Sequence, residues 1–267
     1  MALSWIDRMA VDDRGDGEAI VFVHGLGGSL NVWTPLLPAL SRWRCVRMEL
    51  PGAGMSTKAY ALGEATPHRG HISDRTHADA VLRVMDGLRL ETAHVVGHSF
   101  GTLVAQHLAA QAPRRVKSLV LLGALLEPHA QMRQNMHARA ALAREGKLFE
   151  IAEAVSNASL SASSREHVPL AVAFVRSCVG AQDAEGLARN CVALAEAQKA
   201  RHELIACPVL IVNGDEDVVT PLAGARDLAR QLKHCRVEVF GRCGHWPMVE
   251  RPADSQRVLR DFLTSVR

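Results

Sequence analysis

Residues 93–102 read "AHVVGHSFGT". An apolar run stops at Gly97, a serine stands at 99 between two glycines, and a helix-like pattern resumes at Phe100. Glycines on both sides of one side chain mark a turn too tight for a Cβ, and a serine at its tip is presented to something. At ordinary residue frequencies about one chain in ten of this length contains G-x-S-x-G by chance. Here the pattern sits between a predicted strand and a predicted helix, the setting of a nucleophile elbow, with a glycine-flanked serine in a plain βα turn as the alternative. The following helix directs its positive N-terminal end at the serine and favours negative charge developing there.

Outward from this turn the chain keeps one rhythm. The runs "AIVFVHG" (19–25), "RCVRMEL" (44–50), "SLVLLGA" (118–124), "PVLIVNG" (208–214) and "RVEVFGR" (236–242) read as buried strands like 93–99. Nearly unbroken Val, Ile and Leu implies burial on both faces. Between these runs lie segments with helical periodicity, "NVWTPLLPALSRW", "HADAVLRVMDGLRL", "FGTLVAQHLAAQAP" and "TPLAGARDLARQLKH", and a last helix follows Pro252. The alternation predicts an α/β fold with a doubly wound, mostly parallel sheet. Between about Glu127 and Arg201 the strands disappear and Ala-rich helical patterns take over. Residues 127–201 are therefore expected to form a helical cap (a lid) over the carboxyl edge of the sheet, on a core of residues 1–126 and 202–267. Residues 58–78 are polar and turn-rich and read as a surface loop.

Bulk properties exclude several classes of function. The 267 residues are 48% hydrophobic and 22% charged, enough apolar material for a sizeable core and against disorder. A net charge of +3, without a basic block, implies neither nucleic acid nor an anionic membrane as partner. The six cysteines show no CxxC pair and are expected as reduced, mostly buried thiols. The charged opening "MALSWIDRMAVDDRGDG" is no signal peptide, and no apolar run reaches the length of a membrane span, so a cytoplasmic protein is expected.

A serine hydroxyl attacks only when a base takes its proton. Of the 13 histidines, His245 in "GRCGHWPMVERP" stands on a Gly-bounded loop between a strand and the last helix and is the expected base. His68, His71 and His77 are irregularly spaced in a polar stretch and read as solvated, while His98 is expected to shape the elbow. An acid must hold the base's tautomer, and "VNGDEDVVTP" offers Asp215, Glu216 and Asp217, with Glu127 a further candidate. The "HGLGG" loop (24–28) brings backbone close to a ligand, and its Leu26 N–H with the Phe100 N–H would form an oxyanion hole.

Through "HGLGGS", "MELPGAGMS", "VVGHSFGT", "VNGDEDVVTP" and "RCGHWPMVERP" the chain resembles the α/β-hydrolase superfamily. The order Ser99, acid, His245 is the order in that superfamily. The resemblance places the acid three residues after the strand-end glycine, which from Gly214 selects Asp217. It implies a helical cap inserted after the sixth strand. Serine at 99, where relatives with haloalkane dehalogenase or epoxide hydrolase chemistry carry aspartate, argues against those reactions. The cap segments "ALAREGKLFEIAEAVSNA" and "AEGLARNCVALAEA" are similar in order and spacing to the branch that holds 3-oxoadipate enol-lactonases and related carboxylesterases. Phe100 and Thr102 stand where that branch often has Met and Gly.

The expected activity is hydrolysis of a carboxylic ester or lactone through an acyl-enzyme, with no cofactor and no metal. Carbon–carbon hydrolysis of a β-diketone, perhydrolysis and a hydrolase-fold receptor with little turnover are the rivals. The expected partner is a small ester or lactone, and a homo-oligomer is compatible with the sequence. Gly25, Trp33, Leu125, Phe149, Phe174 and Trp246 are the expected substrate-binding positions.

Overall fold

A computed structural model describes residues 2–57 and 73–266. Eight strands form one sheet in the order β1-β2-β4-β3-β5-β6-β7-β8. The six expected strands are β3 (Ala19–Val23), β4 (Arg44–Met48), β5 (Ala93–His98), β6 (Val116–Leu122), β7 (Val209–Gly214) and β8 (Cys235–Phe240), all mutually parallel. From β3 to β7 the side chains are buried on both faces, with β3, β5 and β7 buried along their whole length, whereas β8, expected as a buried run, is the edge strand and only partly buried, with Val239 exposed. At about 25 cal/mol per Å² of apolar surface removed from water, such strands hold the two helical layers to the sheet.

The N-terminal residues depart from the sequence reading. β1 (Ala2–Ile6) and β2 (Met9–Arg14) make an antiparallel hairpin, and β2 pairs antiparallel with β4. Their acidic and basic residues conceal the alternation. Met9, Ala10 and Val11 are buried, and Asp12 joins them because it is paired with Arg47, itself buried. Thus a charged residue that reads as surface occupies the sheet interior.

Helix α1 (Asp74–Gly87) is capped by Ser73 and Thr76 in a reciprocal box. It begins inside the stretch 58–78 expected as a polar loop, of which 58–72 lie outside the described residues together with His68 and His71. His77 is on this helix and fully buried, with hydrogen bonds to the Ser73 carbonyl and Asn190. It is a core histidine, not a solvated one. α2 (Phe100–Gln111) follows β5 directly. The segment Leu30–Ala39 is a 3₁₀ helix and not the expected α-helix, since Pro35 and Pro38 supply no N–H to an α-helical ladder.

Five helices lie between β6 and β7: α3 (Ala130–Arg144), α4 (Leu148–Ser159), α5 (Ala162–His167), α6 (Pro169–Gly180) and α7 (Ala184–Glu196). No described residue between Glu127 and Arg201 is in a strand. After β7 come α8 (Leu222–Gln231), β8, the single turn α9 (Pro247–Glu250) and α10 (Pro252–Ser265). All six cysteines are free. Among the described residues, no helix is long and apolar enough to cross a membrane.

The chain runs from β3 to β4 on one side and then crosses to β5 on the other side of β3. This reversal opens a crevice at the carboxyl ends of β3 and β5, the place where ligands of open α/β sheets bind. The "HGLGG" loop leaves β3 there, and Ser99 leaves β5 there.

Candidate active site

Ser99 has φ 52° and ψ −119°, a left-handed backbone that side-chain-bearing residues rarely adopt. Its surroundings hold it there. The Ser99 N–H donates to the Leu122 carbonyl at 3.0 Å, and the Ser99 carbonyl accepts from Thr102 N (2.8 Å) and Thr102 Oγ1 (2.6 Å). Both flanking glycines are required by contact. A Cβ on Gly101 would stand 2.1 Å from the Val23 carbonyl oxygen, and one on Gly97 would stand 2.5 Å from the Gly101 carbonyl oxygen. Helix α2 can lie this close to β3 only without those carbons. Gly25 serves the same fit from the other side, since a Cβ there would lie 2.8 Å from the Ser99 Cβ.

His245 and Asp217 meet behind the serine. His245 Nδ1 lies 2.9 Å from Asp217 Oδ2, and both side chains are buried. Asp217 also accepts from Val219 N (2.9 Å) and Thr220 N (2.8 Å) at Oδ1, and from Thr220 Oγ1 (2.7 Å) at Oδ2. Burial alone would raise its carboxyl, but the charge and hydrogen bond of His245 and the Thr220 donors outweigh that and hold it below the ordinary carboxylate range. An ionised Asp217 fixes the proton on His245 Nδ1 and leaves Nε2 with its lone pair. Gly123, at φ +59°, backs the imidazole: a Cβ there would press on His245 Cε1 and Nδ1 at 3.0 Å.

The other acids have different work. Asp215 and Glu216 are exposed; Asp215 accepts from Cys243 N, and Glu216 from Ala162 N. Glu127 is exposed beside Arg133. None of the three makes a hydrogen bond or ion pair with His245, whose carboxylate partner is Asp217.

Sequence reasoning missed Glu250. Its buried carboxylate accepts from Gly244 N (3.0 Å), Trp246 N (3.1 Å) and Ser161 N (2.8 Å), so it shapes the loop on both sides of His245. The "W-x-x-x-E" spacing of Trp246 and Glu250 after the histidine was the available signal. Helix α4 joins at the same place. The Ser159 carbonyl accepts from His245 N at 2.7 Å, and Ser159 Oγ accepts from Trp246 Nε1 at 2.8 Å.

A cavity of about 220 Å³ lies over these groups. Ser99, His98, His245, Leu26, Leu125 and Trp246 are in its wall, together with Met132, Met136 and Arg139 of α3. The sequence-predicted Leu125 and Trp246 are therefore wall residues. Three other expectations are corrected. Trp33 is buried against Phe22, Phe174 is a half-buried residue of α6 packed against the core, and Phe149 is 69% exposed in a separate surface depression. Each follows an aromatic side chain's usual drive to bury area, or, for Phe149, a place on the outer face of α4. Gly25 touches Ser99 but does not line the cavity. Phe100 opens α2, so its N–H has no helical acceptor, and its ring packs edge-on against His77. Leu26 is in the cavity wall on the adjacent loop.

His98 sits under the base. It stacks between His245 (4.9 Å between centroids) and Trp246 (4.6 Å), and its Nε2–H donates to the His245 carbonyl at 2.8 Å. Burial, with the nearby charge of His245, drives the His98 imidazole down to about 3, and burial drives His24 down to about 4. Both stay neutral in the folded chain while the unfolded chain takes protons below about 6.5. Stability is thus full above pH 6.5 and falls as pH drops toward 4, by about 1.4 kcal/mol per pH unit for each histidine. Urea midpoints at pH 7, 6 and 5 are expected to fall accordingly. In His98→Gln the fall should be shallower by about 1.4 kcal/mol per pH unit, with His24, His94 and His202, all pulled down by burial, supplying the rest, and an unchanged slope would refute this role.

A parallel sheet carrying a strained serine at its switch point, with an Asp-His pair delivered by later strand ends, is the arrangement of a hydrolase. Comparison with known proteins agrees. Residues 18–143 match the family described as "alpha/beta hydrolase fold". The chain is 30% identical to a putative carbamate hydrolase RutD of Variovorax paradoxus, over 96% of this chain and 95% of that one. It is 27% identical to a 2-hydroxy-6-oxo-2,4-heptadienoate hydrolase of Pseudomonas putida, over 95% and 91%. The crystal structure of the enol-lactonase from Burkholderia xenovorans LB400 superposes with a TM-score of 0.86 at 26% identity, covering 97% of this chain and 98% of that one. The chain belongs to the α/β-hydrolase fold family and is a hydrolase.

Proposed function

We propose that the protein hydrolyses a carboxylic ester or lactone through an acyl-enzyme on Ser99. The observation that carries this reading is that His245, paired with the buried Asp217, lines one cavity with a strained, half-buried serine. His245 Nε2 takes the Ser99 proton as Oγ attacks the acyl carbon. The carbonyl oxygen becomes an oxyanion and is held by the Leu26 and Phe100 N–H groups. His245 then gives its proton to the leaving alkoxide, and the C–O bond breaks. Water enters, loses a proton to His245 and attacks the acyl carbon. The acid leaves, and Ser99 recovers its proton. No step calls for a metal or cofactor. The helices of residues 127–201 act in this reading as a cap that forms the roof of the cavity and keeps bulk water from the acyl-enzyme.

Carbon–carbon hydrolysis is a second reading, supported by the likeness to the heptadienoate hydrolase. One panel tests both. Purified protein is assayed on p-nitrophenyl esters, on lactones and on a 2-hydroxy-6-oxo-dienoate, and Ser99 is sought by mass spectrometry as its phosphonate adduct after fluorophosphonate treatment. Ester or lactone turnover with adduct at Ser99 is expected. Turnover of the dienoate alone would replace the ester reading with the second one, and no turnover with no adduct would remove both.

A further inference from the structure

The "HGLGG" loop is gripped by a side chain from the helical segment above it. Gln182, in the link between α6 and α7, is 6% exposed. Its Nε2 is shared among three carbonyls, those of Cys178 (2.9 Å), Gly28 (3.1 Å) and Gly27 (3.3 Å). Its Oε1 accepts from Gly54 N at 3.1 Å, on the loop after β4. Carbonyls at one end of the amide and an N–H at the other fix which way it faces. The Gly27 carbonyl and the Gly28 N–H belong to one planar trans peptide and point in opposite directions. With that carbonyl drawn toward Gln182, the Gly28 N–H donates to the Gly25 carbonyl at 3.0 Å. The Gly25 carbonyl also accepts from His24 Nδ1 at 2.8 Å, while His24 Nε2 accepts from Leu50 N at 3.0 Å and so leaves the ring proton on Nδ1. The Gly25 carbonyl in turn shares its peptide with the Leu26 N–H, which has no acceptor among the described residues. Gly25 lies against Ser99, and Leu26 is in the cavity wall.

We propose that Gln182 is a positioning residue for the oxyanion hole: it sets the plane of the Gly27–Gly28 peptide, which through the Gly25 carbonyl sets the plane of the Gly25–Leu26 peptide and aims the Leu26 N–H. This rests on the acyl-enzyme reading above, and it makes residues 127–201 a support of the reaction as well as its cover. Three of the five residues 24–28 are glycine, so the loop is soft unless something holds it. An oxyanion donor works by being oriented before charge develops, and a peptide that must turn during the reaction forfeits part of that stabilisation. Peptides hydrogen-bonded in series also polarise one another, so the last N–H of the row is strengthened as well as aimed.

The test uses p-nitrophenyl butyrate with two ketones that match its acyl chain. Propyl trifluoromethyl ketone is attacked by Ser99 Oγ: the O–C bond forms, the carbonyl oxygen becomes an oxyanion, and the serine proton passes to His245. Methyl propyl ketone has the same chain and stays a ketone. Wild type is expected to prefer the fluorinated ketone by about a hundredfold or more, as befits a mimic of the transition state. Gln182→Met keeps the side chain's length and loses the donor. Its kcat should fall about 10- to 30-fold, less than the roughly 100- to 1,000-fold lost with a whole oxyanion donor. KM and methyl ketone affinity should stay within about twofold, and the preference for the fluorinated ketone should fall by the factor lost from kcat. The pH midpoint of kcat/KM should not move, because His245 keeps its partners. Gln182→Glu keeps the acceptor for Gly54 N but not the donor and should behave like Gln182→Met, so either one decides if the other fails to fold. Gln182→Lys keeps a donor and should hold most of the preference. Equal loss of both ketones, or an unchanged preference in a folded variant without the donor, overturns the proposal and leaves the acyl-enzyme reading standing. Ketone preference that depends on Gln182 without ester turnover removes the ester reading and leaves the positioning role. Wild type that neither cleaves the ester nor prefers the fluorinated ketone overturns both.

Discussion

Ser99→Ala is expected to lower kcat by about a million-fold on whichever ester the protein turns over best, with the folded structure retained. When nucleophile, base and acid act as one unit, removing the nucleophile costs about as much as removing all three. The residue left behind fits the space: among the described residues Oγ makes no hydrogen bond that the fold depends on, whereas the Ser99 N–H and carbonyl, which alanine keeps, bond Leu122 and Thr102. Thermal melting should therefore change by little. A residual rate within tenfold of wild type, measured on protein free of contaminating esterase, would refute the role given to this side chain.

Asp217→Asn is expected to lower kcat by about ten-thousand-fold, the loss typical of a Ser-His-Asp site whose acid becomes an amide. An asparagine that keeps both backbone donors to Oδ1 presents an N–H₂ to His245, so the imidazole turns its lone pair to Nδ1 and its proton toward the serine. The base is then in the wrong tautomer. Asp215→Asn is the comparison, since Asp215 is exposed and its bond goes to Cys243 N. A loss below tenfold is expected there. If the two variants lose activity equally, the assignment of the acid fails.

Much of this was legible before any coordinates, for a physical reason. Parallel strands buried on both faces write themselves as Val, Ile and Leu runs, and all six runs from Ala19 to Phe240, the partly exposed edge strand β8 included, fall within two residues of the observed strands. The elbow was legible because Gly97 and Gly101 are forced by carbonyl oxygens at 2.1–2.5 Å from where a Cβ would be. What escaped notice has equally concrete causes. β1 and β2 hide behind charges that pair only in three dimensions, as Asp12 does with Arg47. Trp33 and Phe174 have the chemistry of pocket walls, and burial in the core for Trp33, or packing against it for Phe174, satisfies it as well. Glu250 leaves only a faint local trace, its spacing from Trp246, while the contact that closes its burial comes from Ser161, distant in sequence. Asp217 was separable from Asp215 by likeness to known hydrolases, and the 2.9 Å bond to His245 gives that choice its geometry.

The bond from Ser159 to the backbone of His245 bears on how such a scaffold is diversified. Grafting a foreign roof onto this sheet, a natural way to retune what it accepts, would also replace the clasp that seats the imidazole. Chimaeras that preserve Ser159–Ala162 and Gln182 should keep turnover while selectivity changes, because that short stretch touches His245, Trp246, Glu250 and Glu216 at once. Selectivity and catalytic competence are thus soldered together at two corners of the molecule and free to drift apart elsewhere.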